Sequence, residues 1–501
     1  MAIFLRNLAG LHASVTLSAQ EVTMKFSIDA KQGKAYDVIV CGGGTAGCAA
    51  ALAAARGGTK TLLIERSFSV GGMLTIGNAG ITKATKHYSN HDDYRSKVTK
   101  RLKDCPEEVQ IAGGIVKEYC HKMMANGSAV GTDGQVGAYV FTDRYGAQFT
   151  MMDMLEEAGV QVLYDTRVCG VQMDGNTVTG VLVCNKSGFT EYPAAQVIDA
   201  TGDADVAALA GAEFAVGVTE DDIAEGGGAV LGQVTKTGSM YRVRNVNFEK
   251  LIKYLKENPE IFHVQRFGIM TMEDVEEGLQ KGDMVVFSLR SFAPDGSQQL
   301  GIQVYNAPAG DEAIILNFDQ SVEVNGLDAM AVSSGQTKLF KQIRANLEFL
   351  RKTVPGFENA RFSFVPDIGI RETRRIKGDY CMTGKDLFDG VDFYDSIGCG
   401  GHPIDIKHLR EDVNNHCYEN WKCHLPYRIM LPQGIENLLV AGRSVSVTRL
   451  AMGTIRPTVQ CMVLGEAAGT AAAISVKDCV TCRQVDIGKL REKLLEHGAV
   501  L

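Results

Sequence analysis

The chain has 501 residues, of which 45% are hydrophobic and 22% charged, and this length and composition predict two domains. Its 51 basic and 59 acidic residues give a formal net charge of -8, which argues against nucleic acid as a partner. Thirteen cysteines without regular spacing favour a reducing, cytoplasmic location. No apolar run is long enough to predict a membrane span.

The N-terminal part, residues 1–34, is expected to be an extension that is disordered or loosely attached. Residues 1–23 carry Arg6 and a short apolar stretch, so a targeting segment stays open as an alternative, although no A-x-A cleavage site follows.

A β-α-β unit opens the predicted first domain. Residues 38–41 are a continuous apolar run typical of a buried parallel strand, and residues 61–64 are a second one. Between them lie a glycine-rich turn, residues 42–47, and an alanine-rich helix that ends at Ala55. This order of elements predicts a parallel sheet.

The turn has the spacing Gly42-x-Gly44-x-x-Gly47, in which each glycine has a separate task. Gly42 makes the tight turn, Gly44 lets the backbone approach a pyrophosphate, and Gly47 lets helix and strand pack closely. Glu65, at the end of the second strand, can accept hydrogen bonds from both hydroxyls of an adenosine ribose. The unit predicts a site for FAD or NAD and does not choose between them.

The pattern changes further along the chain. Residues 86–140 are polar and are expected to form helices and loops inserted into the first domain. After about residue 214, longer loops with mixed helices and strands predict a second domain, and residues 437–441 then form a last buried strand. The predicted division is an extension over 1–34, a discontinuous dinucleotide-binding domain over 35–213 and 426–478, a substrate or cap domain over 214–425, and a C-terminal tail helix over 479–501.

The C-terminal motifs decide between the two cofactors. Three stretches, NLLVAGRS at 437–444, GTIRPT at 453–458 and LGEAAGTAAA at 464–473, resemble the second FAD motif of glutathione-reductase-type flavoproteins. Further shared motifs are Glu65-Arg66, Gly71-Gly72-Met73, Ala200-Thr201-Gly202-Asp203 and residues 369–379. From about Tyr36 to its end, the chain resembles the FAD-dependent oxidoreductase family of mostly uncharacterised bacterial enzymes.

This resemblance implies an α/β protein with a Rossmann-like FAD-binding domain, an inserted α+β substrate domain and FAD bound non-covalently. Physical reasoning agrees, because a helix that begins at Pro457 would aim its first amides at the flavin. Gly465 and Gly469 would let this helix pack closely on the sheet. The residues expected to bind FAD are Gly42, Gly44, Thr45, Ala46, Gly47, Glu65, Arg66, Gly72, Met73, Val168, Ala200, Gly202, Asp203, Gly442, Arg443, Arg456 and Thr458.

Arg443 departs from the family pattern. Such flavoproteins usually carry Gly-Asp after the last strand, whereas this chain has Gly442-Arg443. Arg443 is therefore expected either to neutralise a phosphate or to pair with an acid.

Three residues are candidates for catalysis. Arg371 begins a dense polar group, residues 371–375, that could clamp a carboxylate or carbonyl near the flavin or form structural salt bridges. His402 lies in a glycine-rich loop with Asp405 and could take the substrate's proton, although a loop histidine is more often a solvated surface group. His87, beside Tyr88 in the polar insert, is the second candidate for that role.

No metal is expected. The spacing of His416, Cys417, Cys423 and His424 fits no standard zinc site, and the pair in Cys479-x-x-Cys482 is interpreted as ordinary thiols.

The predicted function is an FAD-dependent oxidoreductase that transfers a hydride between a small organic substrate and flavin N5, by hydroxyl or C–C oxidation. No second G-x-G-x-x-G follows a strand, so an external electron acceptor or donor is expected as partner. The alternatives are a C=C reductase of an unsaturated acid, a flavin-binding protein without turnover, and an NAD protein without flavin. The sequence assigns no oligomeric state.

Overall fold

The computed structural model describes most of the chain. The described residues are 29–75, 77, 81–82, 86–88, 108–131, 139–259, 261–263, 272–281, 285–292, 298–306, 310–317, 323–402, 404–406 and 423–501. The expected N-terminal extension lies outside them up to residue 28, whereas Ala30–Gln32 form a strand paired with residues 189–191.

Strands and helices are mixed along the described part of the chain. Strands β1–β23 are Ala30–Gln32, Tyr36–Cys41, Thr61–Ile64, Ile81–Thr82, Lys86–Tyr88, Glu108–Gln110, Ala129–Gly131, Tyr139–Thr142, Gln161–Leu163, Arg167–Asp174, Thr177–Asn185, Gly188–Asp199, Phe214–Val216, Met240–Arg244, Phe262–His263, Val286–Phe292, Gln298–Asn306, Ala313–Asn317, Arg361–Phe364, Arg374–Ile376, Ser396–Gly400, Cys423–Pro426 and Leu438–Val440. Helices α1–α12 are Thr45–Arg56, Gly114–Ala125, Arg144–Glu157, Asp205–Leu209, Glu220–Glu225, Phe248–Glu257, Met272–Lys281, Ala329–Thr353, Gly384–Asp389, Arg449–Ile455, Thr458–Asp478 and Ile487–Glu496.

The predicted α/β fold is present. Five parallel strands lie in the order β23-β12-β2-β3-β9, and β11 and β10 extend this sheet in the antiparallel sense. Alternate residues of β2 face opposite sides: Val38 and Val40 pack in the core that contains α1 and α11, and Ile39 and Cys41 pack with β11. Because both faces are covered, the strands are continuous apolar runs rather than alternating ones.

A second sheet lies further along the chain. Six antiparallel strands have the order β15-β16-β17-β18-β14-β19, and side chains of α6 and α8 complete a separate core with them. This core takes in residues from Tyr241 to Ile368. Met382, Leu387 and Ile397, by contrast, pack in the first core. The boundaries 214 and 425 stay a prediction.

The polar insert differs from its expected form. Residues 86–140 were expected to form helices and loops, but besides α2 they contain the strands β5, β6, β7 and the start of β8. These strands are three or four residues long and pair only in two- and three-stranded sheets. Segments this short carry too little periodicity to be recognised from sequence.

Gly465 and Gly469 of helix α11 face α1, whereas they were predicted to face the sheet. A Cβ at Gly465 would overlap the carbonyl oxygen of Ala46, and one at Gly469 would overlap that of Ala50. Within the described residues α11 is the one helix long and apolar enough to cross a membrane. Its most apolar 18-residue stretch is 89% buried inside the protein. Its apolar surface is therefore used in packing.

Candidate functional site

The three glycines of the turn after β2 differ in what surrounds them. Gly42 has φ +99°, and a Cβ there would lie 2.5 Å from the carbonyl oxygen of Ala200. A Cβ at Gly47 would overlap the carbonyl oxygen of Gly42. Gly44 has φ −72°, and a Cβ there would meet no described atom within 4 Å. Contacts within the protein explain the first and third glycines. The approach of a bound group to the middle glycine stays a prediction.

Glu65 is buried directly beside this turn. Its Oε2 accepts a hydrogen bond from the Gly43 amide at 2.7 Å, and its Oε1 accepts one from the Ser67 amide at 2.8 Å. A carboxylate has about four acceptor positions, so this one can accept further hydroxyl donors. The Thr166 amide donates to the Glu65 carbonyl at 3.0 Å, which places the segment that contains Val168 beside the same strand end.

A second glycine segment closes over the turn. The Gly71 amide donates to the Gly43 carbonyl at 2.8 Å, and Thr45 Oγ1 donates to the Gly71 carbonyl at 3.4 Å. Gly72 approaches so closely that a Cβ there would lie 2.9 Å from the Gly44 Cα. Met73 follows and is partly exposed. The structure thus brings Gly71 and Gly72 against the turn that contains Thr45. Contact of Thr45, Gly72 and Met73 with a cofactor stays a prediction.

The last parallel strand ends at the same place. The Ala441 amide donates to the Asp199 carbonyl at 2.9 Å, and the following Gly442 has φ +103°. A Cβ at Gly442 would lie 3.3 Å from the Ala46 Cβ. The N- and C-terminal motifs therefore meet at one edge of the sheet, which is where ligands bind to open α/β sheets.

Arg443 pairs with an acid. Its guanidinium forms an ion pair with Asp203 and donates to Thr373 Oγ1 at 2.8 Å, and Thr373 Oγ1 in turn donates to Asp203 at 2.8 Å. Gly202, with φ +80°, lies against Arg443, since its Cβ would be 3.5 Å from Nε. Of the two expectations for Arg443, the structure contains the pair. Contact of Asp203 or Arg443 with a cofactor stays a prediction.

Asp199 shapes the segment that carries Ala200 and Gly202. This carboxylate is fully buried and accepts hydrogen bonds from the Thr201 amide at 3.1 Å and the Ala207 amide at 2.9 Å. Burial raises its pKa to about 6. Asp199 is not among the residues predicted from the sequence, although a lone acid at the end of an apolar strand marks it.

The dense polar group at 371–375 divides into different roles. Glu372 and Arg375 belong to a buried network in which Arg375 contacts Asp222 at 2.7 Å and Arg449 contacts Glu372 at 3.2 Å. The positive charges of Arg375 and Arg449 balance the negative charges of Asp222 and Glu372. Arg449 and Glu372 are each only 1% exposed. This part of the group has the structural role that was one of the two predictions. Asp222 and Arg449 were not predicted, because nothing local in the sequence marks them.

Two further arginines have partners of their own. Arg374 pairs with Asp205 at 2.8 Å. Arg456 donates from Nη2 to the carboxylate of Asp405 at 2.5 Å and to its carbonyl at 2.6 Å. Arg456 precedes Pro457, which is the N-cap of α11, so the helix begins at Thr458 and not at the proline. The N-cap residue Pro457 makes no side-chain capping hydrogen bond.

Arg371 occupies a distinct position. Its guanidinium lies against Gly238, where a Cβ would be 2.5 Å from Nη2, and it donates to the Lys236 carbonyl at 3.5 Å. Gly238 and Gly369 exchange two backbone hydrogen bonds of 3.0 and 3.1 Å, and a Cβ at Gly369 would lie 3.3 Å from Met73 Cε. These contacts place Arg371 on the side of the site that Met73 also borders.

The remaining predicted site residues are His402, His87 and Arg66. His402 is half-buried, and the carboxylate of Asp405, expected to orient it, is held by Arg456. The backbone of His87 lies in β5, but its side chain is outside the described part. Arg66 is exposed. The catalytic roles of His402 and His87 stay predictions.

The described residues contain no group of three or more His, Cys, Asp or Glu side chains that could hold a metal. His416 and Cys417 lie outside them. Cys479 is exposed and Cys482 is buried, and both are free thiols.

Comparisons with known proteins give a family. The model of the family described as FAD dependent oxidoreductase matches residues 37–494. The chain is 29% identical over 167 residues to the digeranylgeranylglycerophospholipid reductase of Picrophilus torridus, a match that covers 33% of this chain and 39% of that protein. It is 25% identical over 203 residues to the NADH:fumarate oxidoreductase of Klebsiella pneumoniae, a match that covers 34% of this chain and 20% of that protein. These matches span less than half the length of either relative.

Solved structures align over nearly the whole chain at low identity. A geranylgeranyl bacteriochlorophyll reductase-like protein from Thermoplasma acidophilum covers 93% of this chain and 83% of its own, at 14% identity and a TM-score of 0.41. The p-nitrophenol 4-monooxygenase of Pseudomonas putida covers 92% of this chain and 86% of its own, at 11% identity and a TM-score of 0.41.

Proposed function

Because the chain belongs to the FAD-dependent oxidoreductase family and has FAD as its cofactor, we propose that this enzyme transfers a hydride between a small organic substrate and N5 of a non-covalently bound flavin. The observation that supports the proposal is the turn at Gly44, where a Cβ would meet no described atom within 4 Å while Glu65 lies beside it with acceptor positions to spare.

Residues of both chain ends would hold the cofactor. Glu65 would accept from the ribose hydroxyls, and the backbone at Gly44 would approach the pyrophosphate. The amides at the N-terminus of α11 add positive dipole at the opposite end of the site. Asp203 and Arg443 form a neutral pair, so we assign them to fixing the loop after β12 rather than to phosphate charge.

The proton of a hydroxyl substrate needs an acceptor. His402 is our candidate, because imidazole titrates near neutral pH and this side chain is half-buried near the segment that holds Asp405. Residues 214–425, which include the second core, would supply the substrate side of the site. An external electron acceptor or donor completes turnover in this proposal.

The alternative is reduction of a C=C bond in an unsaturated acid. The names of the two curated relatives favour it, since both are reductases or oxidoreductases and fumarate is an unsaturated dicarboxylate. A flavin-binding role without turnover is the third candidate. We also propose a cytoplasmic location, because all eleven cysteines in the described part are free thiols.

The test is an absorption spectrum of the purified protein followed by anaerobic mixing with candidate substrates. We expect flavin bands with about one FAD per chain, and bleaching by at least one alcohol or saturated acid. Reoxidation of the photoreduced enzyme by unsaturated acids alone would support the reductase instead. A protein that stays colourless after reconstitution with FAD would contradict the proposal.

A further inference from the structure

The arginines around the site differ in how their charge is balanced. Six of them lie within residues 371–375 and 443–456, and five have a carboxylate within 4.0 Å. These pairs are Arg374–Asp205, Arg375–Asp222, Arg443–Asp203, Arg449–Glu372 and Arg456–Asp405. In the described part of the chain, Arg371 has no such partner, and its contact with the Lys236 carbonyl is long, at 3.5 Å.

The groups around Arg371 leave an excess of positive charge. Burial lowers its pKa, Asp405 raises it, and Arg456 lowers it again. Asp405 is itself held by Arg456 through both its carboxylate and its carbonyl. The three side chains thus carry two positive charges and one negative charge. A half-buried guanidinium that contacts no carboxylate is stabilised when an anion binds to it.

The guanidinium of Arg371 lies directly against the backbone of Gly238. A Cβ at Gly238 would lie 2.5 Å from Nη2 and 2.9 Å from Cζ, so glycine leaves the guanidinium room in this position. The paired backbones of Gly238 and Gly369 fix this contact. Arginine presents a planar fork that can donate two parallel hydrogen bonds to a carboxylate.

Its position also relates the anion to the cofactor site. Gly369 lies beside Met73, Met73 follows Gly72, and Gly72 contacts the glycine turn at Gly44. Arg456, which directly precedes the N-cap of α11, is near enough to lower the pKa of Arg371. Arg371 is therefore close to both segments, and the proposed function assigns these to the flavin end of the site.

We propose that Arg371 binds the carboxylate of the substrate, so that the enzyme acts on an organic acid. This inference rests on the proposed function for its location, but it makes a separate claim about substrate class. The same guanidinium chemistry could serve a phosphate of FAD, and the experiment distinguishes these two sources.

The first measurement uses the wild-type holoenzyme and needs no variant. Pairs of a carboxylate and its neutral amide are titrated while the flavin absorption spectrum is recorded: lactate and lactamide, succinate and succinamide, benzoate and benzamide. At least one acid is expected to perturb the spectrum saturably, with its amide at least about 10-fold weaker because the charge-assisted pair is lost. If no acid perturbs the spectrum, or if acid and amide bind equally, the assignment is wrong.

The second measurement compares Arg371→Lys with Arg428→Lys. The lysine keeps the charge at 371 but loses the fork, so we expect unchanged FAD content and about 10- to 100-fold weaker binding of the acid. Arg428 pairs with Asp395 and belongs to none of the predicted sites, so this control should bind the acid normally. Loss of FAD from Arg371→Lys alone would assign the guanidinium to the cofactor phosphate and overturn the proposal.

The outcomes separate this inference from the proposed function. If an uncharged alcohol bleaches the flavin equally well in wild type and in Arg371→Lys, hydride transfer stands and the organic-acid substrate is wrong. If acids bind through Arg371 but no compound is oxidised or reduced, the binding site stands and the proposed turnover is wrong.

Discussion

Replacing Gly44 with alanine tests cofactor binding separately from folding. Gly44 has φ −72°, which alanine adopts without strain, and the added Cβ would meet no described atom within 4 Å. The apoprotein should therefore keep its stability within about 0.5 kcal/mol. In the complex the same methyl group would intrude on the pyrophosphate, and overpacking of this kind costs about 1–3 kcal/mol. That range corresponds to about 5- to 150-fold weaker FAD binding.

Gly47→Ala is the matched control in the same turn. Its Cβ would overlap the carbonyl oxygen of Gly42 and lie 2.9 Å from the carbonyl carbon, and neither backbone atom can move without displacing α1 or β2. We expect the apoprotein to lose about 3 kcal/mol of unfolding free energy, at the upper end of overpacking costs.

The assay is thermal unfolding of both apoproteins followed by circular dichroism, and titration of each with FAD followed by flavin fluorescence. Normal FAD affinity in Gly44→Ala would refute the reasoning about the middle glycine. An unchanged melting temperature in Gly47→Ala would refute the reasoning about the third.

Three further predictions concern charged groups. Burial raises the pKa of Glu466 from 4.5 to about 7, so the folded state keeps its proton while the unfolded state loses it as pH rises from about 4.5 to 7. The free energy of unfolding of the wild type should therefore fall over that pH window and level off above it. Glu466→Gln should remove this fall, so that urea unfolding shows a gain of up to about 3 kcal/mol at pH 8 and little gain at pH 4. Glu372→Gln should cost about 3–5 kcal/mol in the same assay, because Arg449 is left buried without its partner, whereas Glu213→Gln in an exposed pair should change stability by less than about 1 kcal/mol. His402→Asn should leave FAD bound and slow flavin bleaching about 10²- to 10⁴-fold in stopped flow; a wild-type rate would exclude it as the proton acceptor.

The parts of the fold that could be predicted are those with strong local patterns. The strands β2, β3 and β23 are continuous apolar runs because both faces of the sheet are covered, and such runs can be recognised without any structure. The tasks of Gly42 and Gly47 followed from their spacing. The hairpin of β10 and β11 has a local signal of the same kind, since the two turn residues Gly175 and Asn176 join these strands.

The parts that could not be predicted depend on partners distant in sequence. The small residues Gly465 and Gly469 show that something approaches α11 closely, but not that it is α1 instead of the sheet. The structural role of Glu372 depends on Arg449, which is 77 positions away. A sequence pattern marks a charged side chain but does not say which opposite charge it meets.

The pairing of α1 with α11 has a consequence for synthesis of the chain. The glycine turn and α1 leave the ribosome early, yet the surfaces that cover them, β23 and α11, are the products of residues 438–478. Until then the face of the alanine-rich helix that α11 covers is exposed, and this apolar face is open to aggregation. FAD binding is therefore expected to be a late event in folding, and a nascent chain stopped before residue 438 should not retain the cofactor.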